Sequence, residues 1–395
     1  MKYAIIIPDG AADLPLEDLG GKTPLEAART PNMDWIASHG KIGTAAMVPT
    51  GMPCGSDVAI LSVLGYDPRQ FYTGRAPLEA AAQGLVIAPD EWVFRCNFVT
   101  IVGAVMEDYS AGHITTDEAK TLIGELNRQL STPQIRFYTG VSYRHLMTYR
   151  GNMQVRTTPP HDILGKAVEG YLPAGAGSET IRSIMESAKP IVEGHEINAV
   201  RRDLGENPAT DIWLWGEGKM PQLEEFAKRF GLKGAAITAV DLVRGLSALI
   251  GWDRIEVPGA TGYLDTNYAG KGAAACLALD NYDIVCVHVE APDECGHNAD
   301  VKGKVQAIEA IDRHVVGPVL ERLKTEGDQW RILVLPDHPT PCAIRTHTTQ
   351  PVPFAMAGVR VESIVPREFN EASAAAADLH VQRGCELMEF FLTVR

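Results

Sequence analysis

Three short apolar runs, each followed by carboxylates or imidazoles, constrain this chain more than anything else in it. Tyr3 to Ile7 stops at Pro8-Asp9-Gly10, and Asp283 to Val289 leads into a segment carrying Asp293 and His297. Ile332 to Leu335 breaks at Pro336 and delivers Asp337, His338 and, after a turn-rich loop, His347. Continuous β-branched runs of this kind read as parallel strands buried on both faces. Open α/β sheets built from such strands keep ligand-binding residues just past the carboxyl ends. The expected fold is therefore α/β, a doubly wound and mostly parallel sheet.

Taken singly, each residue has a bland reading. Asp9 fits an Asp-Gly turn, and a lone histidine is most often a satisfied one. Asp293 and His297 are four apart, so on a helical turn they share one face. The Gly51-Met52-Pro53-Cys54-Gly55 loop runs into Ser56-Asp57 and a helix-like stretch from Val58 to Leu64. Ser56 at that helix start reads as a cap. The same position suits a nucleophile, because free N–H groups at a helix N-terminus favour a phosphate and a cation lowers a hydroxyl pKa.

The bland readings weaken when all of these residues fall past strand ends of one sheet. Together they supply three carboxylates and three imidazoles, enough for two metal ions. Mixed oxygen and nitrogen donors suit zinc or manganese. Paired metals suit in-line phosphoryl chemistry, with the Ser56 hydroxyl as attacking group.

At 395 residues the chain exceeds one ordinary core. The texture from about Asp90 to Lys233 reads as a separate α+β domain. It divides the chain into a discontinuous metal-bearing domain, 1–72 and 236–395, and an insert at 73–235. A net charge of −14 disfavours nucleic acid as a partner. An anionic substrate then needs local cations. No apolar run is long enough to span a bilayer, and Met1-Lys2 leads straight into a strand, so no membrane association and a cytoplasmic location are expected. The seven cysteines lack close paired spacing, which argues against a disulfide framework.

In chain order stand PDG, GSD with the LGYDP run, YTGRAPLEA, the GATGYLDTNY loop, DECGH, PDH and RTHT. With these motifs the chain resembles the cofactor-independent (2,3-bisphosphoglycerate-independent) phosphoglycerate mutases of archaeal type, in the alkaline-phosphatase-like metalloenzyme superfamily. The resemblance implies a metal-dependent isomerase that interconverts 2- and 3-phosphoglycerate through a phosphoserine at Ser56. It implies one divalent ion on Asp9, Ser56, Asp337 and His338 and another on Asp293, His297 and His347, with manganese favoured over magnesium, zinc or cobalt. It also implies that the insert binds the small phosphorylated substrate, and His113, Arg144, His161, Arg201, Arg202 and Arg75 are the candidate contacts. One departure stands out. Mutases of this class follow the Asp-His pair with a small hydroxyl residue, whereas here Pro339 follows. MEDYSAGH and PPHDILGK resemble a bacterial branch proposed as homoserine kinase, so phosphotransfer to homoserine is the alternative, with a phosphatase third. The oligomeric state stays open.

Overall fold

The computed structural model describes residues 1–362 and 367–394 and divides into two compact units, Met1–Tyr72 with Gln222–Arg395, and Thr73–Pro221. The first unit is an eight-stranded sheet. Its strands are β1 (Lys2–Pro8), β2 (Lys41–Ala45), β3 (Gly234–Ile237), β4 (Asp253–Arg254), β5 (Ile284–Val289), β6 (Trp330–Val334), β7 (Val352–Gly358) and β8 (Leu379–Val381). In space they run β4-β3-β5-β1-β6-β7-β2-β8. The pairs from β4 through β6 are parallel, as is β2 with β8, while β7 is antiparallel to both of its neighbours. The mixed α/β architecture expected from the sequence is what the chain adopts.

Burial explains why the central runs are apolar throughout. Ile5, Ile6 and Ile7 are each fully buried, as are Ile284, Val285, Val287 and Val289 on β5. Helices cover both faces, so alternation with polar residues has no place there. Each such side chain contributes roughly 1.5–3 kcal/mol of burial free energy.

Register then places the chemistry. Pro8 pairs with Val289, and Ile6 pairs with Val334. Carrying the same offsets past the strand ends sets Asp9 level with Glu290 on one side and with Asp337 on the other. Two hydrogen bonds hold that alignment: Asp9 N–H donates to the Val289 carbonyl at 3.0 Å, and Leu335 N–H donates to that of Ile6 at 3.2 Å.

Two further elements shape the first unit. A helix that opens at Val301, capped by Asp300, has a π-helical turn at Asp312–Val316. Pro318, just beyond, has no N–H to return to the His314 carbonyl, which favours the wider turn. Asp312 turns inward there and accepts hydrogen bonds from Asn32 N–H and Met33 N–H, holding the start of helix Pro31–His39. The last helix spans Leu387–Thr393, after Val381 has been used by β8 in pairing with Ala45.

The second unit is α+β. Glu91–Val102 is its central strand, antiparallel to Val105–Asp108, Arg144–Arg150 and Asp211–Lys219, and Ile135–Val141 pairs with Arg144–Arg150. Helices Thr116–Leu130 and Ser178–Glu193 pack on this sheet. The unit ends at Pro221, not at 235. Residues 222–235 belong with the first unit, where Phe226 packs edge-on against Trp252 with ring centroids 4.8 Å apart. No helix among the described residues is long and apolar enough to cross a membrane.

Candidate active site

Gly55 caps the Ser56–Val63 helix, so Ser56 is the first helical residue, in the turn whose N–H groups have no partner within the helix. Ser56 Oγ lies 3.0 Å from His338 Nε2 and 3.4 Å from Asp9 Oδ2. His338 Nε2 is 3.3 Å from Asp337 Oδ2 and 3.7 Å from Asp9 Oδ1. Asp9, Asp337 and His338 are all buried to within 1%. Gly10 follows Asp9 with φ +61°, and its N–H donates to Asp337 Oδ1 at 3.2 Å. A Cβ at Gly10 would stand 2.6 Å from Asp293 Oδ1, so only glycine satisfies both the turn and the space.

The second group forms around helix Ala291–His297. Asp293 and His297 share a face, with His297 Nε2 3.2 Å from Asp293 Oδ2. The loop after β6 returns His347, whose Nε2 lies 2.9 Å from His297 Nε2 and 3.5 Å from Asp293 Oδ1. Backbone carbonyls fix both rings from behind: Arg345 O is 3.0 Å from His297 Nδ1 and Cys54 O is 3.2 Å from His347 Nδ1. Asp9, Ser56, Asp293, His297, Asp337, His338 and His347 are thus brought together in one cluster.

This cluster fits divalent cations. Asp9 Oδ1 and Asp337 Oδ2 are buried and accept no hydrogen bond, a cost that a cation removes. Asp293, His297 and His347, and likewise Asp9, Asp293 and His338, each offer ligand atoms within 4.8 Å of one another. The electrostatics agree. Burial, and then the nearby Asp337, Glu290 and Asp293, push Asp9 well above the usual carboxylate range. Burial also raises Asp293, but hydrogen bonds to His297 and His347 outweigh it and hold that carboxyl well below the range. The hydrogen bond to Asp293 raises His297 to about 9, whereas burial lowers His338.

Three residues enter that sequence reasoning missed. Thr340 Oγ1 donates to Asp293 Oδ1 at 2.5 Å and lies 3.2 Å from His338 Nδ1. The hydroxyl that Pro339 lacks is therefore present one residue later. His288 Nε2 is 2.7 Å from Asp9 Oδ2, and Glu290 stands beside them. Glu290 obeys the strand-end rule that identified Asp9, so the signal was there.

In the second unit, His113, Arg144, His161 and Arg75 lie in one aromatic and cationic patch. His161 packs edge-on against Trp215 at 5.3 Å and Tyr109 at 6.2 Å, His113 is 6.1 Å from Tyr143, and Arg144 sits 5.8 Å from the same ring. Arg75 pairs with Glu79 at 3.6 Å, which also holds Arg95 at 3.0 Å. Arg95 was missed; it lies 4.1 Å over Trp215, and burial lowers it to about 10. Arg201 and Arg202 are not part of the patch. Arg201 is 2% exposed and spends its whole guanidinium on Glu118, Glu206 and the carbonyls of Ala111, Gly112 and Asn207, so it is a structural residue. Arg202 donates to the Glu193 carbonyl, at 3.4 Å.

The chain is similar to known proteins over almost its whole length. A family described as 2,3-bisphosphoglycerate-independent phosphoglycerate mutase matches residues 37–198. A protein of that name from Methanothrix thermoacetophila is 50% identical over 394 residues, covering 99% of this chain and 100% of its own. A solved structure of a protein from Pyrococcus horikoshii superposes with a TM-score of 0.84 at 30% identity, covering 99% of this chain and 96% of its own. A cofactor-independent phosphoglycerate mutase from Thermoplasma acidophilum superposes at 0.69 with 28% identity, covering 99% of both chains.

Proposed function

The chain belongs to the 2,3-bisphosphoglycerate-independent phosphoglycerate mutase family, and on that premise we propose that it interconverts 2- and 3-phosphoglycerate through a phosphoserine at Ser56. The observation that carries this reading is the position of Ser56 Oγ, at a helix N-terminus and within 3.4 Å of both Asp9 and His338. One divalent ion is assigned to Asp9, Ser56, Asp337 and His338, and a second to Asp293, His297 and His347, with manganese the favoured ion. Bound divalent ions supply positive charge that favours the Ser56 alkoxide and offsets charge on the phosphoryl oxygens.

The chain's own residues do the rest. Helix N–H groups at Ser56 favour the phosphoryl group electrostatically. Ser56 Oγ forms a bond to phosphorus while the bond from phosphorus to one glycerate oxygen breaks, and that oxygen gains a proton. The other glycerate hydroxyl then gives up its proton and bonds to phosphorus as the phosphorus–Oγ bond breaks, and Ser56 Oγ takes up a proton to restore its hydroxyl. His113, Arg144, His161 and Arg75 are the substrate contacts assigned to the second unit, where cations meet the carboxylate or phosphate of an anionic substrate.

The test is conversion of 3-phosphoglycerate by the purified chain with manganese and no bisphosphoglycerate, followed by phosphorus NMR. Formation of 2-phosphoglycerate without net release of phosphate is expected. No turnover with any of manganese, magnesium, zinc or cobalt overturns the assignment.

A further inference from the structure

We propose that Tyr72 is a positioning residue. Its hydroxyl holds the Asp57 carboxylate back from Ser56, so that the start of the Ser56 helix stays open to a phosphoryl group. This rests on the reading of Ser56 as the phosphoryl acceptor and deepens it. Asp57 directly follows Ser56 and is the second residue of the Ser56–Val63 helix. A carboxylate in a first helical turn is attracted by the N–H groups and the dipole there, the same features that attract a phosphate. Left to itself, Asp57 competes with the phosphoryl group for those N–H groups and repels it as a like charge.

The contacts of Asp57 prevent this. Its carboxylate is buried, with Oδ2 accepting from the Tyr72 hydroxyl at 2.7 Å and Oδ1 accepting from Val58 N–H at 3.1 Å. Both oxygens are thereby engaged. A Cβ at Gly55 would stand 3.0 Å from Asp57 Oδ1, so the carboxylate folds back over the helix cap. Among the described residues the N–H groups of Ser56 and Asp57 donate to no protein acceptor, which leaves that pair to a ligand. Tyr72 is itself fixed. Its N–H donates to the Pro68 carbonyl at 2.9 Å and closes the short Pro68–Phe71 helix. Asp67 caps that helix by accepting from Arg69 N–H at 3.0 Å and pairs with Arg383 at 2.9 Å. Phe71 packs edge-on against the fully buried Tyr66, with ring centroids 5.8 Å apart. The phenol is a donor on a pinned element, and Asp57 is the group it holds.

The experiment reads anion binding and does not depend on turnover. Inorganic phosphate is titrated calorimetrically into the manganese-loaded full chain, and a melting temperature is recorded for each variant. Tyr72→Phe should weaken phosphate binding by about tenfold or more, the worth of a hydrogen bond to a charged group, with the melting temperature near that of the parent. Adding Asp57→Asn to Tyr72→Phe should restore the parental affinity, because the released side chain no longer carries a charge. Asp57→Asn alone should bind phosphate at least as tightly as the parent. Parental affinity in Tyr72→Phe overturns the proposal. So does a double variant as weak as the single one, which is what a merely structural hydroxyl gives. Should Tyr72→Phe fail to fold, Asp57→Asn decides alone, and weaker phosphate binding there overturns it. Failure of the proposed function shows separately, as a parent chain that keeps this binding pattern and turns over no phosphoglycerate.

Discussion

His297 and His347, fifty residues apart, set their Nε2 atoms 2.9 Å from each other with Asp293 beside both. Ring nitrogens converge at that distance only with a proton or a cation between them. In the ion-free chain the proton is held tightly, since the hydrogen bond to Asp293 raises His297 to about 9. Manganese must displace that proton, because a metal binds the neutral imidazole. Affinity for manganese should therefore rise with pH from 6 to about 9 and level off above, by at most about tenfold per pH unit for each proton released. Calorimetric titration at several pH values checks the slope; an affinity indifferent to pH would exclude these imidazoles as ligands.

The same shift has the opposite sign for stability without metal. A histidine whose folded pKa lies above its unfolded value of roughly 6.5 stabilises the fold fully below that pH. The contribution is lost as pH rises toward about 9. The chelated chain should lose melting temperature over that window through this pair, and the manganese-loaded chain should not. Paired thermal melts with and without chelator measure both.

Thr340 joins the two ion sets, donating to Asp293 and lying within hydrogen-bond reach of His338. Residues that orient ligands in this way are worth roughly 10–100-fold in metal affinity or activity. Thr340→Val keeps the shape and removes the hydroxyl, so a loss of that size is expected, with Thr340→Ser restoring most of it. Equal loss in both variants would mean that the methyl group, not the hydroxyl, matters. Ser56→Ala should instead lower turnover by roughly 10³-fold or more while leaving the melting temperature near that of the parent.

Much of the site was legible because strand ends are. Asp9 and Asp337 follow runs whose only use is a doubly covered sheet, and register sets the two level. Asp293 and His297 declare themselves by helical spacing. The rest was hidden by contacts that local sequence does not carry. Val352–Gly358 reads poorly as a strand because Pro353 lies inside it, yet β6 has already ended at the Val334–Ala355 pair, so Pro353 interrupts no ladder on that side. Thr340 was invisible because Pro339 displaces the hydroxyl by one residue, and the loop geometry that recovers it is tertiary. Arg201 looked like a free cation in sequence because its acceptors at Glu118 and Ala111 lie more than eighty residues away.

A buried lysine supports the loop that carries these ligands. Lys304 is fully buried; its ammonium donates to Asp13 Oδ2 at 2.7 Å and to the Thr340 carbonyl at 2.8 Å. The segments after β1 and β6, which present Asp9 and Asp337, are thereby tied to one charge. Lys304→Met leaves the buried Asp13 without its cation, with the Leu14 and Cys342 N–H groups as donors. Removing one partner of a buried pair costs about 3–5 kcal/mol. Urea denaturation should register that loss, and metal affinity should fall with it as Thr340 is released.

The final prediction separates a substrate contact from a structural one within the second unit. Arg144 and Arg201 are both arginines in a domain assigned to an anionic substrate, and sequence alone ranks them together. Their surroundings do not. Arg144 is exposed and sits over the Tyr143 ring, 5.8 Å from its centroid, with a guanidinium available to an anion. Arg201 has all of its N–H groups engaged inside the unit, and truncating it takes the cation from Glu118 and the donor from three backbone carbonyls. Arg144→Ala should therefore raise KM for phosphoglycerate by about tenfold or more, the worth of a charge-assisted hydrogen bond, with the melting temperature unchanged. Arg201→Ala should destabilise the fold by roughly 3–5 kcal/mol, and the fraction that stays folded at low temperature should keep its KM. Steady-state kinetics beside thermal melts for the two variants decide it. A raised KM in folded Arg201→Ala would return that residue to the substrate, and an unchanged KM in Arg144→Ala would remove the patch from consideration.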